Sequence, residues 1–494
     1  MITVVGMDGS ALSTQAEAAL AAATLVVGAR RHLTAAGALA PALATRGAQQ
    51  TPGRPRGAEV IVLAELAPGL DALARHEGDA VLLASGDPGF FGIVRVLRER
   101  GLDAVVLPAV SSVALAFARA GLAWDDAMVV SAHGRDPRPA VNVCRAHPKV
   151  AVLTGPGCGP AEVGAALEGW DRRLVVAEDL GGEDERLTEC SPAGATRRTW
   201  ADPNVVLVLA GSPGPGKVLN ADERQVHHEQ RRPRAAAGTG GPAGAGAGWL
   251  AGGHRAPGGW ALPEEEFDSR DAVMTKGEVR ALALARLGPG PGMLVWDVGA
   301  GSGSVGIECA RFGAAVIAVE RDAMRCARVR GNATRHGVDV RIVPGDAPQA
   351  LARLPDPDAA FVGGGGPEVV AAVAARQPAR IVVALAAVER ASLAGAALAA
   401  AGYATDGALV QAARFAPLPG GAHRLAAINP VFLVWGWLPG TTEGTGPGEH
   451  AGAGDHAGAG DHAGAGDHAG AGDDFGAGNH AGHAHPGTGH GGPR

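Results

Sequence analysis

The chain has 494 residues, too many for one core of ordinary size, so we expect at least two domains. No long uncharged apolar run occurs and the N-terminus enters a strand pattern directly, which predicts neither a membrane span nor a signal peptide. The five cysteines are scattered, which favours a cytoplasmic protein without disulfides. Six of the seven net negative charges follow residue 440, so bulk charge points to neither nucleic acid nor membrane.

Residues 1–212 are predicted to form a first α/β domain. Short β-branched runs alternate there with helical stretches, a pattern typical of largely parallel strand pairing. The predicted strands are ITVVG, TLVVGA, EVIVL, AVLLASG, AVVLP, MVVSA, KVAVLT, RLVVAEDL and NVVLVLA. Residues 213–257 are too rich in Gly, Ala and Pro to bury a core, and we predict a linker there.

A second α/β domain is predicted over residues 258–440, with helices near 321–336 and 389–401. Its predicted strands are MLVWDVG, AAVIAVE, VRIVPG, AAFVGG and RIVVALA, with a late pair around GALVQAARF and PVFLVWGWL. Residues 441–494 repeat HAGAGD every six residues and are predicted to be disordered. Their histidines could chelate a divalent metal, or they are incidental to the repeat; no metal site is predicted.

The sharpest motif is the glycine turn Asp297-Val-Gly-Ala-Gly-Ser-Gly303, which follows an apolar run. Glycine adopts positive φ readily and lets the backbone touch a ligand. An acid two residues before the first glycine can meet a ligand ammonium, Glu320 can accept ribose hydroxyls, and Asp346 with Ala347 can meet an adenine edge. Ammonium, ribose and adenine without a pyrophosphate indicate S-adenosylmethionine; a nicotinamide cofactor or a purely structural turn stays open.

That set of residues resembles the class I methyltransferase fold, a doubly wound, seven-stranded Rossmann-like sheet. The predicted cofactor contacts are Asp297, Gly299, Ala300, Gly301, Ser302, Gly303, Glu320, Asp346 and Ala347. Upstream, MTKGEVRALALARL places Thr275, Lys276 and Glu278 at a helix start, where an ordinary N-cap explains them equally well. Together with the glycine turn and DAAFVGGGG, it resembles the precorrin-decarboxylating methylase domain of cobalamin biosynthesis. The resemblance implies that Thr275 lines the cofactor site.

In the first half, ASGDPGFFGI follows a buried strand and alone is a turn of low specificity. With GARRHL, LPAVSSVALAFARAGLAWDDAMVVSAHGRD, LTGPGCGP and VAEDLGGEDERLTE in order, it resembles the tetrapyrrole methylase family, in the branch acting on precorrin-6Y. That family implies two α/β subdomains with S-adenosylmethionine in the cleft between them. The implied contacts are Gly6, Gly86, Asp87, Pro88, Ser111, Ser112, Leu153 and Thr154, although the loop VVGMDGS is shorter than usual.

The two resemblances together imply one S-adenosylmethionine per half and a shared macrocyclic substrate. Carbon 15 methylation and loss of the ring C acetate carboxyl are expected in the C-terminal half, and carbon 5 methylation in the N-terminal half. Guanidinium groups match the many carboxylates of such a ring. Candidates for catalysis are Lys276, Glu278 and His133, and candidates for substrate binding are Arg30, Arg31, Arg135, Arg270 and Arg280. The family also implies a homo-oligomer.

Three alternatives remain open from sequence. The N-terminal half could be a non-catalytic binding module, and the macrocycle could already contain cobalt. Methylation of RNA or protein is disfavoured, because the chain has one tyrosine and nine phenylalanines and shows no basic stripe interleaved with aromatic residues.

Overall fold

The structure, a computed structural model, describes residues 1–38, 58–63, 66–133, 136–211, 218–219, 257–269 and 274–440. The predicted tail, nearly all of the predicted linker, and the candidates Arg135 and Arg270 lie outside these described residues. In the described part of the chain, no helix is both long and apolar enough to span a bilayer.

The first five strands form a wholly parallel sheet in the order β3-β2-β4-β1-β5. The strands are β1 Ile2–Met7, β2 Leu25–Gly28, β3 Glu59–Val62, β4 Ala80–Ser85 and β5 Ala104–Leu107; the helices are α1 Thr14–Ala22, α2 Arg30–Ala35, α3 Leu66–Arg75, α4 Ile93–Glu99 and α5 Ser112–Ala120. Their bounds follow local chemistry: the Ser111 hydroxyl accepts from the Ala114 N–H to begin α5, and Gly121 ends it with φ +66°. Because the strands are parallel, their carboxyl ends share one edge.

The second sheet has the order β11-β9-β8-β10-β7-β6. Its strands are β6 Met128–Ser131, β7 Lys149–Leu153, β8 Arg172–Glu178, β9 Arg186–Cys190, β10 Asn204–Ala210 and β11 Val218–Leu219; its helices are α6 Pro137–Ala146, α7 Pro160–Ala166 and α8 Pro192–Ala195. The expectation of largely parallel pairing is wrong here, since among the described pairs only β6 and β7 run parallel. Two strands were not predicted: β9, whose run is rich in polar residues, and β11, which lies in the predicted linker.

The predicted seven-stranded sheet is confirmed in the second half, with the order β14-β13-β12-β15-β16-β20-β17. The elements are β12 Leu294–Val298, β13 Ala315–Glu320, β14 Arg341–Pro344, β15 Ala359–Val362, β16 Arg380–Leu385, β17 Ala404–Val410, β18 Ala413–Pro417, β19 His423–Ala427 and β20 Val431–Trp437, with α9 Gly277–Leu287, α10 Ser304–Arg311, α11 Ala323–Arg335, α12 Pro367–Ala374 and α13 Val388–Ala400. The run GALVQAARF is not one strand, because β18 leaves the sheet to form a separate hairpin with β19.

Both faces of the central strands β12, β13 and β15 are buried, as a doubly wound fold requires. Successive residues of β12 alternate between two apolar clusters: Trp296 belongs to one and Val295 to the other, and both are fully buried. Trp170 of the N-terminal half joins the first of these clusters, so the two halves share part of one core.

The two halves meet at the amino ends of the C-terminal strands. The Asp358 carboxylate accepts from the Leu294 backbone N–H at 2.7 Å, from Arg138 Nη2 at 2.7 Å and from Asn142 Nδ2 at 3.2 Å. Arg172 Nη2 lies 2.9 Å from Asp339 Oδ2, just before β14. The carboxyl ends of the same strands, where the glycine turn lies, are therefore turned away from the N-terminal half.

Candidate active sites

The C-terminal half has a cavity of about 790 Å³ at the carboxyl ends of its parallel strands. It lies where β12 and β15 are neighbours but the helices that follow them pack on opposite faces of the sheet, the usual ligand position in open α/β sheets. The predicted residues that line it are Thr275, Lys276, Gly299, Ala300, Gly301, Ser302, Glu320, Asp346 and Ala347. The structure thus brings most of the predicted C-terminal set together.

The glycines of the turn are required by backbone conformation and by space. Gly299, Gly301 and Gly303 have φ of +74°, +60° and +77°. A Cβ on Gly299 would lie 3.1 Å from the Gly364 nitrogen in the loop after β15. Gly303 does not line the cavity, and a Cβ there would meet the Val329 side chain at 2.8 Å. Gly303 therefore has a structural role, because its lack of a side chain lets the turn pack against Val329 of α11.

Glu320 ends β13 with its carboxylate at the cavity and only 5% of the residue exposed. Oε2 accepts from the Gly301 N–H at 2.9 Å and Oε1 from the Asp322 N–H at 3.0 Å. Each carboxylate oxygen has a second lone pair, so Glu320 can also accept from ligand hydroxyls. Its position fits the predicted ribose contact.

Asp297 does not line the cavity, contrary to its predicted contact with a ligand ammonium. The residue is 1% exposed, and Oδ2 accepts from the Gly306 N–H at 2.9 Å in the first turn of α10. Burial, opposed by that hydrogen bond and reinforced by the charge of Glu320, raises the pKa of Asp297 to about 7. Strand alternation turns the side chain under the helix, where it satisfies a free backbone donor.

The structure also corrects the predicted roles of Arg280 and Glu278. Arg280 has no exposed surface and pairs with Glu308 at 2.6 Å, so it cannot reach a substrate. Glu278 does not line the cavity; its carboxylate pairs with Arg414 at 2.7 Å. Both side chains serve the packing around the start of α9 rather than the cavity.

The N-terminal half has its own cavity, of about 820 Å³, in the cleft between its two sheets. Lining residues come from both sheets and include the predicted Arg31, Gly86, Asp87, Pro88, Ser111, Ser112, His133, Leu153 and Thr154. Arg30 is exposed and does not line it. Gly6 does not line it either: a Cβ there would lie 2.3 Å from the Gly86 oxygen, so Gly6 lets the end of β1 pack against the turn.

One side of this cleft is closed by a contact that the sequence does not predict. Gly9 and Gly181 have φ of +86° and +77° and approach so closely that a Cβ on Gly9 would lie 2.0 Å from the Gly181 oxygen. A Cβ on Gly181 would lie equally close, 2.0 Å, to the Asp8 oxygen. No local sequence pattern predicts the role of Gly181, because the two glycines meet only when the two subdomains fold together. Among the described residues, no cluster of His, Cys, Asp and Glu could hold a metal ion.

Comparisons with known proteins agree with this arrangement. Residues 2–194 match the model of the tetrapyrrole (corrin/porphyrin) methylases, and residues 266–436 match that of a precorrin methyltransferase domain. The chain is 36% identical over 380 residues, 74% of this chain and 79% of the relative, to precorrin-6Y C(5,15)-methyltransferase [decarboxylating] of a Sinorhizobium species.

Two shorter relatives are similar to parts of the chain. Cobalt-precorrin-7 C(5)-methyltransferase of Salmonella typhimurium is 34% identical over 217 residues, 42% of this chain and 98% of the relative. A protein of Pyrobaculum calidifontis, described as a probable cobalt-precorrin-6B C(15)-methyltransferase (decarboxylating), is 41% identical over 132 residues, 25% of this chain and 68% of the relative.

A cleft between two α/β subdomains, followed by a doubly wound sheet with a glycine turn at its switch point, defines a fusion of two methyltransferases of different fold. The chain belongs to the family of precorrin-6Y C(5,15)-methyltransferases (decarboxylating).

Proposed function

We propose that the chain methylates carbons 5 and 15 of precorrin-6Y and removes carbon dioxide from the ring C acetate, giving precorrin-8X, with one S-adenosylmethionine bound in each half. The observation that carries this proposal is the pair of separate cavities. All residues lining one lie between Met7 and Val205, and all residues lining the other lie between Met274 and Val431. Each half thus has a cavity of its own, which supports one donor and one reacting carbon per half.

We assign carbon 15 methylation and decarboxylation to residues 258–440, and carbon 5 methylation to residues 1–212. The stand-alone relatives support this division, because one is named for carbon 5 alone and the other for carbon 15 with decarboxylation. Two activities that exist on separate chains need no shared site on a fused one.

The residues present in the C-terminal cavity fit S-adenosylmethionine. When bound, this donor supplies an electrophilic methyl group on a sulfonium. Gly299 and Gly301 bring backbone to the cavity wall, Glu320 can accept the ribose hydroxyls of the donor, and Asp346 with Ala347 line the same cavity. The protein's contribution is to hold the ring carbon about 3–3.5 Å from the methyl group and to exclude water.

For decarboxylation the macrocycle itself accepts the electrons, so the protein has to orient and desolvate one carboxylate. We assign this role to Lys276, because it lines the cavity at the residue preceding α9. In the N-terminal cavity, His133 can accept the proton released when a ring hydrogen is replaced by methyl. Neither role requires a covalent intermediate with the protein.

The test is mass spectrometry of the product formed from precorrin-6Y and donor by the full chain. A gain of two methyl groups with loss of one carbon dioxide supports the proposal. A gain of one methyl group with decarboxylation would instead favour a non-catalytic N-terminal half. Parallel reactions with cobalt-free and cobalt-containing macrocycle establish which form the chain accepts.

A further inference from the structure

Arg31, His32 and Ser85 form a closed set of hydrogen bonds on the wall of the N-terminal cavity, which all three residues line. Arg31 and His32 lie in the first turn of α2, and Ser85 ends the neighbouring strand β4. The Gly86-Asp87-Pro88 turn follows Ser85 directly. The set therefore lies beside the proposed donor contacts.

The donors and acceptors in this set are consistent with one protonation state. Arg31 Nε donates to His32 Nε2 at 3.2 Å, and Arg31 Nη2 donates to Ser85 Oγ at 2.8 Å. Ser85 Oγ lies 3.2 Å from His32 Nε2, where its hydroxyl can donate to the same lone pair. Burial and the neighbouring charge of Arg31 lower the pKa of His32 to about 4. His32 is therefore neutral at neutral pH and able to accept.

These bonds fix the guanidinium while using only one of its edges. The edge formed by Nε and Nη2 faces His32 and Ser85. The edge formed by Nη1 and Nη2 keeps one N–H group of each nitrogen for a ligand. Among the described residues, no hydrogen bond from Nη1 is found. A fork of parallel N–H groups matches the two oxygens of a carboxylate.

We propose that Arg31, held in place by His32 and Ser85, anchors a side-chain carboxylate of the macrocycle in the N-terminal cavity. This inference rests on the proposed carbon 5 methylation. Arg31 contacts the substrate, whereas His32 and Ser85 are positioning residues. Both macrocycle and donor carry carboxylates, and we assign the anchor to the macrocycle because Arg31 lies at one side of the turn rather than within it.

The primary test compares Arg31→Ala with Arg30→Ala in the full chain, following carbon 5 methylation by mass spectrometry. Arg30 is the matched control, since it is adjacent in sequence but exposed outside the cavity. For Arg31→Ala we expect KM for the macrocycle to rise about 10- to 100-fold, the range for a lost charge-assisted hydrogen bond, with KM for the donor within about twofold. Arg31→Lys should fall between, because an ammonium lacks the fork.

The positioning role predicts a different pattern at His32. His32→Gln keeps an acceptor for Arg31 Nε, whereas His32→Leu removes it at similar volume. We expect His32→Leu to raise KM for the macrocycle several-fold with little change in kcat, and His32→Gln to restore most of the loss. If His32 were merely structural, His32→Leu would impair kcat as well as KM for the macrocycle, and His32→Gln would not restore them.

Carbon 15 methylation on the same chain reports whether the C-terminal half is folded, and a calorimetric stoichiometry of two donors per chain reports that the N-terminal cavity is intact as well. A wild-type chain without carbon 5 methylation would overturn the proposed function itself. A wild-type chain with full activity, combined with an unchanged macrocycle KM in Arg31→Ala, would overturn only the anchor. A rise confined to the donor KM would overturn it too, by assigning Arg31 to the carboxylate of the donor.

Discussion

Arg280 and Glu308 form an ion pair from which solvent is excluded: neither residue has exposed surface, and Nε lies 2.6 Å from Oε1. Glu308 also accepts from the N–H groups of Ala261 and Leu262, at 2.6 and 2.9 Å. Arg280 donates in turn to the backbone oxygens of Leu262 and Thr275. The pair therefore ties the segment preceding α9 to α10, and with it one wall of the C-terminal cavity.

Removing one charge of this pair should destabilise the C-terminal domain strongly. Glu308→Gln leaves the Arg280 guanidinium buried without its counter-charge, for which we expect a loss of about 3–5 kcal/mol in the free energy of unfolding. Urea denaturation measures it, and Glu265→Gln, on an exposed residue of the same segment, is the control. Equal midpoints for the two variants would contradict the structure.

The raised pKa of Asp297 predicts that stability falls as pH rises. The folded chain holds this proton up to a pKa of about 7, whereas the unfolded chain releases it near the ordinary value of 3.8. The stabilisation is complete below about pH 4 and is lost progressively towards pH 7, by at most about 4 kcal/mol. Asp297→Asn keeps an acceptor for Gly306 and should flatten this dependence. Parallel pH profiles of unfolding free energy for the two chains would refute the prediction.

Gly181→Ala should impair carbon 5 methylation alone. A Cβ at this position would lie 2.0 Å from the Asp8 oxygen, so the loops of the two subdomains must move apart on one side of the N-terminal cleft. We expect kcat/KM for carbon 5 to fall by at least about tenfold, as small misplacements in an active site do. Carbon 15 methylation is the internal control. Gly211→Ala tests positive φ without a close contact, since no atom lies within 4 Å of its Cβ.

Lys276→Met should slow release of carbon dioxide while leaving donor binding intact. Methionine keeps much of the length of the side chain but removes the charge that we propose orients the acetate carboxylate. Carbon dioxide release is followed with substrate labelled at that carboxyl, and donor affinity by calorimetry. Arg353→Met, at an exposed position outside the cavity, controls for loss of a positive charge. Unchanged release would remove Lys276 from the site.

The separation of the two cavities predicts that the singly methylated macrocycle leaves one half before it enters the other. The halves join at the amino ends of strands such as β12, whose five residues, about 16 Å of chain, separate the join from the glycine turn. With precorrin-6Y, a donor carrying a CD3 group and added unlabelled singly methylated macrocycle, we expect product with one CD3 to reflect the size of the added pool. Product carrying two CD3 groups regardless of that pool would show direct transfer instead.

Local signals in the sequence were sufficient to predict cavity-lining residues that lie at the end of a strand or directly after it. The turn at Gly299 follows one buried strand and the acid Glu320 ends the next, and strand order alone brings both to one edge. Asp297 shows the limit of spacing, because one step along β12 turns the side chain from the cavity to the helix. The closure between Gly9 and Gly181 joins residues far apart in the chain, and only the packed subdomains reveal it.

The join at Asp358 lies at the amino ends of the C-terminal strands, away from the cavity at their carboxyl ends. The fusion fixes the stoichiometry of the two domains. Each polypeptide contains one copy of each methyltransferase domain, so neither can accumulate without the other.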